Sequence, residues 1–345
     1  METLFLGIIV GFLFGFLLKR SRFCMTGIIR DMYLEKKKTN IYLVLTVIFI
    51  QSVIYFSFVG LGLIPETEYK SFSVMAIMLG SFIFGFGAVM SQGCIVSTLI
   101  KVGDGRLVGL MSLLSFMLFT SMSKKGVLNG WIEGTQSKSQ LSDDLLEKLS
   151  ISPILVVIPI TALVLVALFK TNKPKPKKFV MPTQYTGARH LFFEKIWNKK
   201  ITAILFGILA GLGWYASNLT GRNGGFGMTT PIFSWFDFLT TSNFEGINWG
   251  SYFVLGIIVG SFLCTLGSQE FWLKGTDGAT LLKAFIGGGL MAFGSVMAQG
   301  CLIGNGLVGT ATLSIKGWLG LIFISFGIWF GTFIFYKQGE RKLSR

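Results

Sequence analysis

The residues that invite chemistry are few, and they repeat. The stretch VMSQGCIVS (89–97) returns as VMAQGCLIG (296–304), so the same Gln-Gly-Cys stands 207 residues apart in a 345-residue chain with only four cysteines. Over 84–94 against 291–301, seven of eleven positions are identical: Phe86, Gly87, Val89, Met90, Gln92, Gly93 and Cys94. A third cysteine, Cys24, lies in RSRFCMTG (20–27), and the fourth, Cys264, lies inside the apolar run GIIVGSFLCTLG. A thiol is a weak S–H donor with a polarisable sulfur, and it costs little to bury. That suits a soft, sulfur-bearing ligand better than a hard oxyanion, which calls for Arg, Ser and backbone N–H groups. Cys-x-x-Cys spacing does not occur, and the single histidine, His190, lies in a basic linker. Neither a structural zinc set nor a haem ligand set can be assembled, so no metal and no cofactor is expected. A disulfide between Cys94 and Cys301 stays open, provided their two loops meet. Cys264 reads as ordinary core packing.

The elements that must position these residues are membrane helices. The chain is 52% hydrophobic and 14% charged, against roughly 25% charged residues in soluble domains. Apolar runs recur from end to end, each long enough to cross a hydrocarbon core of about 30 Å. The fold class is an all-α polytopic membrane protein; a soluble helical protein would need polar helix faces that are mostly missing. The first run, TLFLGIIVGFLFGFLL (3–18), lacks a basic start and a small-residue cleavage site, so it reads as a span and not a signal peptide. Nine spans follow, at about 3–19, 41–62, 73–91, 107–123, 151–170, 201–219, 251–267, 280–298 and 316–336.

The net charge of +15 comes from 31 basic and 16 acidic residues. It requires no nucleic acid, because cytoplasmic loops of membrane proteins are rich in Lys and Arg. Segment 170–200 holds nine basic residues against one Glu, and 19–38 holds seven against two acids. Placing 19–40 inside puts 62–72, 124–150, 220–250 and 299–315 outside. It puts 91–106, 170–200, 268–279 and the tail YKQGERKLSR inside. Every strongly basic loop then falls on one side. The linker KTNKPKPKK reads as a solvated cytoplasmic loop attracted to anionic lipids, with partner docking as its other reading.

With this topology the first Gln-Gly-Cys follows a span running inward and the second a span running outward, which makes the halves inverted repeats. GIIVG (7–11) matches GILAG (207–211), and Phe23-Cys24-Met25-Thr26 aligns with Phe226-Gly227-Met228-Thr229. The organisation is then a first repeat half over 1–150, an inverting span with a basic linker over 151–200, and a second half over 201–345. Inverted repeats with interrupted helices build substrate sites near the bilayer midplane. The segments after each Gln-Gly-Cys, 95–106 and 302–317, are too short and too Gly-rich to span and read as re-entrant half-helices. Gly93 and Gly300 would permit the tight turn that each break needs. The half-helix N-termini at Cys94 and Cys301 would offer partial positive charge to an anion. Gln92 and Gln299 would add amide donors. Arg222, in TGRNGG on the outer side, would attract the anion at the entrance, or else face lipid headgroups. Arg22 and Lys101 read as positive-inside residues.

RFCMTG, QGCIVSTLIKVGDGR and QGCLIGNGLVGTATLSIKGW together resemble the YeeE/YedE family of bacterial inner-membrane sulfur transporters, over nearly the whole chain. The resemblance implies nine spans plus short helices, pseudo-symmetric halves and a narrow waist. It implies thiosulfate uptake, with the ion passed along Cys24, Cys94 and Cys301 by S–H···S contacts. It also implies a small cytoplasmic sulfurtransferase-like partner, and a cytoplasmic (inner) membrane location with the C-terminus and the 170–200 linker inside. The same fold carrying a selenium or other sulfur species stays open. So does a membrane-embedded sulfurtransferase, although no general base lies near the cysteines, and a thiol nucleophile needs a lowered pKa. A purely structural subunit fits poorly with polar breaks at membrane depth. The chain is read as a transporter and not an enzyme. Its spans contain no Asp or Glu suited to proton coupling, which leaves both a driven transporter and a facilitator open.

Overall fold

The computed structural model describes residues 2–67, 71–141, 153–171, 187, 189–222, 224–242, 244, 246–273 and 275–337. Most of the basic linker and nearly all of the C-terminal tail, both read above as cytoplasmic, lie outside the described residues. The chain opens with α1 (Glu2–Ser21), a short α2 (Met25–Glu35) and α3 (Lys38–Gly60). It continues with α4 (Val74–Met90), a short α5 (Ile95–Gly103) and α6 (Leu107–Lys124). Then come α7 (Asn129–Gln136) and α8 (Pro153–Lys170). The remainder is α9 (Lys199–Asn218), α10 (Thr229–Thr241), α11 (Trp249–Gly267), α12 (Gly278–Met297), a π-helical turn over Gly304–Gly309 and α13 (Ile315–Thr332). Strands β1 (Phe72–Ser73) and β2 (Gln140–Leu141) form one antiparallel ladder, Phe72 opposite Leu141.

Among the described residues, eight helical segments are long and apolar enough to cross a membrane. The remaining expected span, 3–19, falls in α1, a 20-residue helix. The chain is therefore an all-α, multi-pass membrane protein. Several starts are written in the sequence. Asn198 and Ser314 cap α9 and α13 by accepting from Lys200 and Gly317 N–H, and Asn248 with Ser251 closes a capping box on α11. The apolar side chains left exposed, such as Phe5, Ile9 and Leu13 on α1 and Leu155, Leu163 and Val166 on α8, are the lipid-facing surface of a spanning protein.

The packing order repeats. Helix α1 lies along α11, and α9 lies along α3; α6 lies along α12, and α13 lies along α4; α1 meets α9, and α4 meets α12. Swapping α1, α3, α4 and α6 for α9, α11, α12 and α13 leaves this set of neighbours unchanged. Lipid tails give helices no hydrophobic reason to associate, so close approach between small residues carries the packing. At the α1–α11 seam a Cβ on Gly11 would press on the Phe253 carbonyl, and one on Gly260 on the Phe12 carbonyl. α8 has no counterpart among the described residues and packs on α3.

Candidate functional site

Three turns of the same design place three cysteines. Helix α1 ends with Phe23 N–H donating to Leu18 and Arg22 N–H to Lys19. Helix α4 ends with Gly93 donating to Ala88 and Gln92 to Val89, and α12 with Gly300 donating to Ser295 and Gln299 to Val296. This 6→1 and 5→2 pattern is a Schellman stop, and it requires one left-handed residue. That residue is Arg22 (φ 51°), Gln92 (φ 61°) and Gln299 (φ 51°), always two positions before the cysteine. The left-handed residue of each Gln-Gly-Cys turn is thus the glutamine and not the glycine after it; Gly300 serves close approach, since a Cβ there would strike the Asn305 carboxamide. Gly93 has φ 155°, and a Cβ would stand 2.5 Å from Ser97 Oγ.

Each cysteine then starts the next helical segment, since its carbonyl accepts the first bond. Ile28 N–H donates to Cys24 (2.9 Å), Thr98 to Cys94 (2.9 Å) and Asn305 to Cys301 (2.8 Å). The segment after Cys94 is the expected short helix, α5. The one after Cys301 is wider, a π-helical turn in which Val308 N–H donates to the Ile303 carbonyl at 2.9 Å, and Asn305 Nδ2 folds back to donate to the Ala298 carbonyl at 3.0 Å. All four cysteines are free thiols.

Two cavities open at opposite ends of the molecule. One, of about 810 Å³, contains Cys301, Gly300, Gln299 and Arg222, together with Lys124 and Gln136 from connections read as outer. The other, of about 370 Å³, contains Cys24 and Cys94 with Lys19, Arg22, Lys101 and Arg106 from connections read as inner. Cys24 and Cys94 line this same cavity together with Ser97. Between the cavities lies an apolar partition. Phe23, Phe206 and Ile303 face the inner cavity and Phe226 and Met228 the outer one. Phe14 sits between Phe206 (4.9 Å between ring centres) and Phe226 (5.7 Å). Cys94 (3% exposed) and Cys301 (1%) are part of the same buried cluster. Cys94 and Cys301 thus line different cavities. Cys264 is fully buried within α11, as read.

The remaining candidates scatter more. Gln299 Oε1 accepts from Lys316 Nζ at 3.0 Å within the outer cavity. Gln92 and Gly93 border a third cavity of about 150 Å³ on the far side of Cys24, beside Arg30 and Tyr336, and not the inner cavity itself. Lys101, read as a positive-inside residue, lies at the inner cavity: its ammonium donates to the Ser91 and Gln92 carbonyls, both at 3.0 Å, and lines that cavity with Cys24 and Cys94. The signal was the repeat itself, since Lys316 serves the second Gln-Gly-Cys turn. Below Lys101, Asp104 pairs with Lys19 (2.8 Å) and accepts from Thr265 Oγ1 (2.8 Å), tying the end of α5 to α1 and α11. Among the described residues no group of three or more His, Cys, Asp or Glu is placed to hold a metal ion.

Each of the two cavities thus holds a thiol at the start of a helical segment. A family model described as sulphur transport matches residues 20–330. The chain is similar to the thiosulfate transporter TsuA of Escherichia coli (strain K12), 37% identical over 338 residues, covering 97% of this chain and 96% of that one. It is similar to the thiosulfate transporter TsuA of Spirochaeta thermophila, 31% identical over 342 residues, covering 96% and 99%. A weaker likeness joins it to the probable transporter YedE of Escherichia coli (strain K12), 26% identical over 101 residues, covering 29% and 24%. The chain belongs to the sulphur-transport (YeeE/YedE) family.

Proposed function

We propose that this protein takes up thiosulfate across the bacterial cytoplasmic membrane, through the two cavities and past the cysteines that flank the partition. The observation that carries the reading is the placement of one thiol on the outer side, Cys301, and two on the inner side, Cys24 and Cys94, each at the start of a helical segment. Desolvating a dianion is very costly, of order tens of kcal/mol when uncompensated. First-turn N–H groups and thiols offset part of that cost where Phe and Ile side chains line the way. Arg222 at the outer mouth and Lys101 at the inner one supply positive charge.

The halves 1–150 and 201–345 act as inverted repeats on this reading, joined by the span in 151–200. The matched neighbour pairs support it, as does the separation of outer-loop and inner-loop residues between the cavities. The basic face is cytoplasmic, in contact with anionic lipids. A small sulfurtransferase-like protein, implied by the family resemblance, would receive the ion at the inner mouth. The chain works as a transporter and not an enzyme, since the ion crosses unchanged.

The test is uptake of labelled thiosulfate by cells lacking their own sulfate and thiosulfate permeases. Uptake above the empty-vector level supports the reading, and none sinks it. Competition by selenite and sulfide addresses a selenium or other sulfur cargo. Intact-mass measurement after exposure addresses the sulfurtransferase reading, because a retained sulfur atom on Cys24, Cys94 or Cys301 would mean covalent relay.

A further inference from the structure

A fourth cavity, of about 510 Å³, lies away from the thiols, at the ends of three spans on the side read as inner. It is bordered by Lys37, Thr39 and Asn40 at the start of α3, Phe169 at the end of α8, and Lys199 and Lys200 at the start of α9. Its three ammoniums face one carboxylate, Glu35, which pairs with Lys37 at 2.8 Å. Lys200 Nζ donates to the Leu168 carbonyl at 2.6 Å and stands 5.6 Å from the Phe169 ring centre, so it ties the end of α8 to α9. No side chain caps α3, and its first turn, with Thr39 and Asn40 in the cavity wall, adds partial positive charge. The same helix ends are also apolar: Phe169, Ile41 and Ile201 are all exposed. The connection that leaves α8, KTNKPKPKK (170–178), is itself basic, so its charge does not complement this cavity.

We propose that this cavity seats the phosphate headgroup of an acidic phospholipid, held by Lys37, Lys199 and the first turn of α3, with the acyl chains against Phe169, Ile41 and Ile201. Basic pockets between membrane helices at the cytoplasmic side suit such headgroups, and the volume lies within the range of small-molecule sites, roughly 300–1,000 Å³. The ends of the spans lie at headgroup level, and the apolar side chains beside the lysines favour a lipid over a free phosphate. Lys37 is available, because its pair with Glu35 is exposed on both sides and exposed pairs are weak. Lys200 stays on Leu168. A lipid seated here bridges α8, the span without a counterpart, to α3 and α9. The inference is independent of which ion is carried.

The experiment titrates the full-length, delipidated protein in detergent with phosphatidylglycerol, phosphatidylcholine or soluble glycerol phosphate and counts bound molecules by native mass spectrometry. The wild type binds phosphatidylglycerol more tightly than phosphatidylcholine. The double variant Lys37→Gln/Lys199→Gln weakens phosphatidylglycerol binding about thirtyfold, at roughly fivefold for each basic residue, and leaves phosphatidylcholine binding unchanged. The control Lys195→Gln/Lys283→Gln removes two lysines that do not border the cavity and leaves phosphatidylglycerol binding as in the wild type. Equal phosphatidylglycerol binding by the wild type and the cavity variant would overturn the site, as would equal losses in the cavity variant and the control. A wild type that does not prefer phosphatidylglycerol to phosphatidylcholine would overturn it too. Glycerol phosphate that displaces the lipid at equal concentration would make this a free-phosphate site and refute the lipid. Thermal unfolding identifies a double variant that has misfolded, and Lys199→Gln alone, expected to weaken binding about fivefold, then decides.

Discussion

Cys301 lines the outer cavity and Ile303 lines the inner one. Two residues of chain reach at most about 7 Å, so the partition is about one side chain thick at this point. Ile303, 2% exposed, is part of that wall. Ile303→Ala removes three carbon atoms, a transfer loss of about 2.4 kcal/mol at about 0.8 kcal/mol per carbon. The void left behind brings the total into the range of roughly 2–5 kcal/mol. It also opens a gap between the cavities at the place where sulfate, lacking a terminal sulfur, would otherwise stop. Labelled thiosulfate and sulfate influx into proteoliposomes measures this directly. Ile303→Ala is expected to lower the melting temperature and to admit sulfate. Ile303→Val, costing about 1 kcal/mol, keeps the wild-type discrimination. An Ile303→Ala protein that folds and still excludes sulfate as the wild type does would refute the reasoning that this side chain closes the path.

Three further outcomes follow from the geometry. Asp104→Ala removes a 7%-exposed carboxylate from Lys19 and Thr265; since Glu270 stays 3.3 Å from Lys19, the loss sits near the low end for a buried pair, about 3 kcal/mol, and Asp104→Asn, still able to accept from Thr265, loses less when melting is followed in detergent. Gly300→Ala forces a Cβ into the Asn305 carboxamide and lowers folded yield, whereas Gly227→Cys meets only Arg222 Nη2 at 3.7 Å and keeps wild-type yield; a membrane-impermeant maleimide added from outside labels the new thiol, and labelling only from inside would contradict the assigned orientation. Lys101→Met frees the Ser91 and Gln92 carbonyls of two charged hydrogen bonds and lowers thiosulfate uptake about tenfold or more; uptake unchanged would leave Lys101 as a surface charge.

The spans were legible because a crossing helix announces itself by length and apolarity. The run expected over 107–123 is Leu107–Lys124, and that over 201–219 is Lys199–Asn218. The short helices were not all legible. MTGIIRDMYLE forms α2 and TTPIFSWFDFLTT forms α10, but both are too short and too mixed in polarity to stand out from the loops around them. The repeat of Gln-Gly-Cys located the two main turns and gave the right helix starts. It did not reveal that glutamine takes the left-handed position, because glycine is the residue that position ordinarily prefers. Arg22 in the third turn shows the same backbone with no glycine near it. Lys101 was hidden by its type, since a basic residue at an inner loop has a sufficient topological reason to be there. Trp214 was hidden by its place inside a span, where an aromatic side chain is ordinary filling. Its place in the wall of the outer cavity shows only in the structure.

The most direct test of the account is thiosulfate uptake by a panel of single cysteine variants in cells lacking other permeases. Cys24→Ser, Cys94→Ser and Cys301→Ser keep the backbone turn and a hydroxyl but remove the soft sulfur from one cavity or the other. Cys264→Ser alters a thiol that faces neither cavity. The account predicts that the first three lose uptake at normal membrane abundance while Cys264→Ser retains it. Uptake that survives in Cys94→Ser and Cys301→Ser would contradict the claim that thiols on both sides of the partition carry the ion.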